Sequence, residues 1–177
     1  MKEEYAIILE YLPNGYPLER KMMPIAQALG EKNLTLLELV PRKGIVLEAG
    51  QKVYIGENKR DEIYYILGRL QKEKLTEEAK RQLDEIVSRI VKEREKEFIE
   101  FFNKSDAINK RVHQIELLPG IGKKHMQEII KQRVIKPFSS FEEMKERIPG
   151  IPYPEKAVEK RIIQELTNDE RYNLFTK

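Results

Sequence analysis

Apolar residues follow two rhythms along this chain, and the change from one to the other divides it. Up to about residue 72 they come in short runs rich in β-branched and aromatic residues: YAIILEYL (5–12), LTLLELV (34–40), GIVLEA (44–49), QKVYIG (51–56) and EIYYILG (62–68). Pro13-Asn14-Gly15, Pro41, Lys43-Gly44, Gly50 and Asn58 punctuate them, and a further short strand is expected over 25–29. Five or six short strands joined by tight turns predict a small antiparallel β-barrel or sandwich over residues 1–72. An OB-like barrel is the first choice and an SH3-like barrel the alternative.

From residue 76 the period becomes helical. Ala79, Leu83, Ile86, Val87, Ile90 and Val91 recur at helical spacing, Thr76 stands where an N-cap belongs, and no Gly or Pro interrupts before Asn103. One amphipathic helix is predicted over 76–103, filling a linker segment 73–103 and reaching roughly 40 Å at about 1.5 Å per residue. Its KEREKE run (92–97) has no apolar face and reads as a solvated middle section, while FIEFF (98–102) offers aromatic weight for docking at the far end. Residues 104–177 read as short helices. One runs from Ser105 or Asp106 to about Leu118, a second over 123–134, a third to Arg147 and a last over 154–166, started by Pro154. Ser139 with Glu142, or Ser140 with Glu143, has the spacing of a capping box for the third. The fold class predicted is α+β.

Composition narrows the function classes. The chain has no cysteine, which excludes a disulfide framework and thiolate metal sites. The N-terminal apolar run covers only residues 6–9, too short for a signal-peptide core or a membrane span, so a cytoplasmic protein is expected. Charged residues make up 36% of the chain yet nearly cancel, to +3, so their location matters more than their sum. Residues 104–136 carry eight basic side chains (Lys104, Lys110, Arg111, Lys123, Lys124, Lys131, Arg133, Lys136) against Asp106, Glu116 and Glu128. That is a net +5, which leaves −2 for the rest of the chain.

The basic segment surrounds LLPGIGKK (117–124), and a related turn, IPGIPYP, follows at 148–154. Two glycines around one apolar residue allow a sharp turn between packed helices, with Ile121 as a core plug. The other side of such a turn presents bare amides at a helix N-terminus, where an anion is favoured, and Lys123 and Lys124 add full charges there. Gly120, Ile121, Gly122, Lys123 and Lys124 are therefore the candidate phosphate-backbone site.

The stretch IELLPGIGKKHMQEIIKQR (115–133) resembles the helix-hairpin-helix motif of DNA repair, recombination and uptake proteins, whose Gly-hydrophobic-Gly hairpin grips the nucleic-acid backbone. Gly120, Ile121 and Gly122 match the hairpin, Leu117 and Leu118 the end of its first helix, and Ile129 and Ile130 the core face of its second. IPGIPYP resembles a degenerate second copy, giving a paired helix-hairpin-helix domain over 104–177. It keeps Gly150 and Ile151, but Pro152 removes an amide and Tyr153-Pro154 replaces the lysines. The whole chain also resembles an uncharacterised archaeal family that joins an OB-like barrel to a helix-hairpin-helix region and is usually described as RNA-binding. That resemblance implies a nucleic-acid partner, RNA in preference to DNA.

Supporting contacts are expected from Lys110, Arg111 and His125 near the hairpin. In the barrel they are expected from Arg42, Lys43, Lys59 and Arg60 in turns, and from Tyr64 or Tyr65, which strict alternation would place on opposite faces. His113 and His125 lie twelve apart without a carboxylate pattern, so no metal and no cofactor is expected. No P-loop, GxSxG or clustered carboxylate suggests catalysis. The reading is a non-enzymatic nucleic-acid binder. A protein-interaction scaffold docking through the long helix, or a DNA-binding accessory factor, stands as the alternative.

Overall fold

Most of the β-rich runs become strands. The computed structural model describes residues 2–177. Within it β1 (Tyr5–Leu12), β2 (Ile25–Gly30), β3 (Leu36–Pro41), β4 (Lys52–Tyr54) and β5 (Ile63–Arg69) form one antiparallel sheet in the order β4-β1-β2-β3-β5, curled into a half-barrel. The run 44–49 is not a strand. Ile45 N donates to the Arg42 carbonyl (3.0 Å), closing a tight turn in which Gly44 takes φ +82°. From this run Leu47 still enters the core.

Alternate strand residues build that core: Ala6 and Ile8 from β1, Ala26 and Ala28 from β2, Leu37 and Leu39 from β3, with Val53, Ile55 and Ile63. The opposite face is covered too, since Ile7, Leu9, Leu29 and even Gln27 are buried. Gln27 is satisfied by the start of α1 (Glu77–Glu93): its amide donates to the Lys74 carbonyl (2.8 Å) and accepts from Thr76 N (3.1 Å). Thr76 Oγ1 accepts in turn from Ala79 N (3.1 Å), so Thr76 caps α1 as its position predicts.

The predicted single helix is two helices. Arg94 leaves helical geometry (φ −107°, ψ 31°) and α2 (Glu95–Lys104) starts after it. KEREKE supplies no buried side chain to hold a straight helix, and the break is tied by Arg94 donating to Glu97 (2.6 Å). Glu95 Oε1 accepts from Phe141 N (2.8 Å) at the start of α4 (Phe141–Arg147).

The helix predicted from Ser105 to Leu118 is absent. Asn109 Oδ1 accepts from Arg111 N (2.8 Å) and Val112 N (3.0 Å), while Ile108 N donates to the Val112 carbonyl. A side chain that satisfies nearby amides offers the backbone an alternative to the helix, and Ala107 bridges to His113 instead. The remaining helices form as expected: α3 (Lys123–Ile135), α4 with Ser140 as its cap, and α5 (Pro154–Thr167).

By contacts the chain divides into two units, residues 1–86 with 165–177, and residues 87–164. Both boundaries fall inside helices, α1 and α5, rather than at the changes of sequence pattern near 72 and 103. The C-terminal segment is folded on itself by the buried Glu165 carboxylate, which accepts from the amides of Leu174, Phe175 and Thr176 at 3.0–3.1 Å. It is tied to the first unit by Lys177 N donating to the Asn33 carbonyl (3.1 Å) and Lys72 Nζ to the Asn168 carbonyl (2.5 Å).

Candidate nucleic-acid interface

The LLPGIGKK segment leaves a single 3₁₀ turn, Gln114–Leu117, in place of a full first helix. His113 caps that turn. Its Nδ1 accepts from Ile115 N (3.1 Å) while its own amide donates to Glu116 Oε1 (3.3 Å), a reciprocal capping box. Burial, together with the nearby Arg133 guanidinium, holds the imidazole below its usual pKa and so keeps the accepting nitrogen free of a proton.

Leu118 to Ile121 then reverse the chain. Ile121 N donates to the Leu118 carbonyl (3.1 Å) and Gly120 takes φ +84°, the pattern of a type II turn with proline second and glycine third. Leu118 and Ile121 are buried, and from α5 Arg161 Nη1 donates to the Leu117 carbonyl just upstream. Gly122 is the extended N-cap of α3.

Three sources of positive potential meet at the start of α3. The amides of its first turn have no acceptor within the helix, the helix dipole adds partial charge, and Lys123 and Lys124 are exposed. The first turn holds no acidic residue, and among the described residues neither lysine forms an ion pair.

The second turn has the same backbone with different surroundings. Ile151 N donates to the Ile148 carbonyl (3.2 Å), Gly150 takes φ +81°, and Ile151 is buried. Here Lys145 is held by Glu142 (2.5 Å) and Glu155 (3.2 Å), with its ammonium 4.8 Å from the Tyr153 ring centroid. Carboxylates neutralise what the first turn leaves bare.

The basic residues around the first turn separate into two sets. Lys104 pairs with Glu100 (2.9 Å), and Arg133 donates to the Phe102 carbonyl (3.0 Å) and Ser105 Oγ (3.2 Å). Lys110, Arg111, Lys131 and Lys136 are exposed, and among the described residues they form no ion pair. Lys110 and Arg111 sit in the turn between Ala107 and His113, and His125 is half-buried in the first turn of α3.

In the first unit Arg42, Lys43 and Tyr64 line one cleft of about 470 Å³, together with Tyr11, Met23 and Val46. Arg42 Nε is anchored on the Arg60 carbonyl (2.7 Å) and Arg60 Nε on the Gly56 carbonyl (2.8 Å), while Lys59 is exposed outside the cleft. Tyr64 and Tyr65 do not alternate strictly: their rings meet edge to face, 5.3 Å between centroids, with Tyr65 the more buried and its hydroxyl towards Met23 Sδ. Sequence reasoning missed Val46 and Met23 as lining residues. Val46 lay in a run expected to be a strand, and Met23 precedes β2 without a pattern of its own. Among the described residues no group of three or more acidic or histidine side chains is placed to hold a metal, and no helix is long and apolar enough to cross a membrane.

A family model described as a protein of unknown function, DUF655, matches residues 2–177. The chain belongs to DUF655. It is 42% identical over 177 residues to the uncharacterized protein MJ0038 of Methanocaldococcus jannaschii, a match that covers 99% of this chain and 80% of that protein. It also resembles the crystal structure of the DUF655 protein Af1531 from Archaeoglobus fulgidus, with a TM-score of 0.88, 44% identity, and coverage of 99% of this chain and 100% of that one. The mixed α+β architecture with its half-barrel is thus shared with the DUF655 protein Af1531.

Proposed function

We propose that the protein is a non-enzymatic nucleic-acid-binding protein, with RNA favoured, that grips the phosphate backbone irrespective of sequence through the first Pro-Gly turn. The half-barrel is read as OB-like. Residues 104–177 are read as a modified helix-hairpin-helix pair whose first helix is reduced to a 3₁₀ turn. One observation carries the reading: among the described residues Lys123 and Lys124 form no ion pair at an exposed helix N-terminus, whereas the lysine beside the equivalent second turn is neutralised by two carboxylates. Gly122 to Lys124 would offer amides, the Ile121 amide being spent on the Leu118 carbonyl within the turn, and the two lysines would offer charge, to one or two phosphates.

Binding of single- and double-stranded RNA and DNA, titrated against salt, tests this. Affinity should fall by about 0.9 log units per log unit of salt for each phosphate neutralised on duplex DNA, and about 0.7 on single strands. Lys123→Ala/Lys124→Ala should weaken binding to every nucleic acid and flatten that slope. No binding at low salt sinks the proposal, and undiminished binding by the double variant removes the turn from it. A protein-interaction scaffold is the second reading, favoured by the exposed Val134 and Ile135 at the end of α3. It predicts no salt-dependent nucleic-acid binding at all.

A further inference from the structure

The cleft beside β5 lies at an irregularity of the sheet. Along the β3–β5 ladder Val40 faces Tyr65 and Pro41 faces Ile63, so Tyr64 is an extra residue without a partner of its own. A bulge of this kind breaks alternation and re-aims a side chain. Tyr64, next to the fully buried Ile63, is 63% exposed, and its ring meets that of Tyr65 edge to face.

The lining is chemically one-sided. Tyr64 and Tyr11 supply rings, Met23 and Val46 apolar surface, and Arg42 and Lys43 the only charges, with no carboxylate among the lining residues. Tyr11 is fixed by its hydroxyl donating to the Ile45 carbonyl (3.4 Å), and Arg42 by its bond to the Arg60 carbonyl. The tight turn from Arg42 to Ile45 leaves Lys43 exposed at the rim. An apolar, aromatic pocket with only cations at its edge complements a flat ring joined to an anion.

We propose that this cleft is a second nucleic-acid subsite, which takes one unstacked base of a single strand against Tyr64 and sets the adjoining phosphate at Arg42 and Lys43. The inference rests on the nucleic-acid reading above and deepens it: the turn at Gly120 recognises any backbone, while this cleft accepts only a base free of its partner. Stacking on an exposed aromatic ring tolerates any base, because every base has a π-face. A duplex hides its bases and cannot enter.

The test uses the full chain with labelled twelve-nucleotide single strands of RNA and of DNA, and with the corresponding blunt duplexes. Tyr64→Ala should weaken single-strand binding about 5- to 150-fold, the range for loss of one stacked base, and leave duplex binding within twofold. Tyr64→Phe should restore it. Arg42→Ala/Lys43→Ala should lower the single-strand salt slope by about one phosphate. A 5-iodouracil-bearing single strand, irradiated in complex with the wild type, should cross-link to the peptide spanning β5. Single-strand affinity unchanged by Tyr64→Ala, or equal losses for single strand and duplex, overturns the cleft while leaving the turn intact. Losses confined to Lys123→Ala/Lys124→Ala overturn it in the same way. Absence of binding to every nucleic acid at low salt removes the function reading and this subsite together.

Discussion

Gly120 lies against Pro152: a Cβ placed on the glycine would stand 3.8 Å from the proline's Cβ. The two Pro-Gly turns therefore meet, and the residue that deprives the second turn of an amide packs beside the first. That distance is ordinary van der Waals contact, so space does not demand glycine at 120. The backbone does, at φ +84°. Gly120→Ala should cost about 1–2 kcal/mol, the strain of a left-handed L-residue, and Gly120→Asn clearly less. Urea midpoints of the three proteins measure it. An alanine variant as stable as wild type would show that the turn relaxes.

Gly122 answers to a different demand. Its φ is −90° and a Cβ there would meet nothing within 4 Å. Neither strain nor crowding within the protein requires glycine. Gly122→Ala should change stability by less than about 1 kcal/mol, the cost of a poorer N-cap. It should nevertheless weaken nucleic-acid binding about tenfold, since a methyl group would hold a phosphate away from the first-turn amides and charge-assisted hydrogen bonds are worth about 1.5–3 kcal/mol each. Equal affinity for the two proteins at low salt removes the backbone amides from the proposed grip.

His113 makes the same segment sensitive to acid. Its folded pKa is lowered, so at mildly acidic pH the unfolded chain takes up a proton that the folded chain refuses. The stability it contributes is complete above the unfolded value of about 6.5 and is lost as pH falls through the lowered folded value. The cap itself is worth about 1 kcal/mol. Between pH 8 and pH 5 wild type should lose more stability than His113→Asn, which can cap without titrating. Parallel pH profiles for the two would contradict the assignment.

How far the sequence disclosed all this depends on where each signal is stored. Thr76 and Ser140 were legible as caps, and Gly120 and Gly150 as turns, because a cap or a positive φ leaves its mark on one residue. The break at Arg94 was not, since no Pro or Gly marks it; what forbids a straight helix there is the absence of apolar anchors, together with Glu95 reaching Phe141 far along the chain. Residues 105–113 looked helical by composition, yet Asn109 diverted the backbone through its own side chain. The cleft was least legible. Its members stand at 11, 23–24, 40–46 and 64, separate stretches of sequence that only the folded sheet brings together.

Glu165 should be the most costly single carboxylate to remove. It is 1% exposed, and besides three backbone amides it accepts from Thr176 Oγ1 (3.1 Å). Glu165→Ala leaves those donors without their acceptor, at about 1–3 kcal/mol for the unmade bonds. Residues 168–177 should then become the first site of proteolytic cleavage, while Glu165→Gln keeps part of the protection. Brief protease digestion with mass spectrometry reads the site. Cleavage that begins elsewhere in the alanine variant would show that the C-terminal segment is held by other contacts.

Tyr16 joins the outer face of the sheet to the start of α1, and its ionisation sets an upper pH limit on the first unit. Glu10, Gln27 and Glu38 lie side by side across β1, β2 and β3. The Tyr16 hydroxyl donates to Glu38 Oε2 (2.9 Å) and accepts from Gln27 Nε2 (3.1 Å), while Thr76 Oγ1 donates to Glu10. Burial, reinforced by the Glu38 carboxylate, pushes the phenol up to about 12. Between pH 10 and 12 the unfolded chain therefore gives up a proton that the folded chain keeps, so stability falls as pH rises through that window, by about 1–2 kcal/mol from this group. Tyr16→Phe should remove that increment of alkaline sensitivity. At pH 7 the same variant should be about 1–2 kcal/mol less stable, because the buried Glu38 loses its hydroxyl donor. Urea midpoints at pH 7, 10 and 11.5 for both proteins decide it. The gap between them should narrow as pH rises, and a gap that stays constant or widens would show that Tyr16 ionises freely and does not hold the network together.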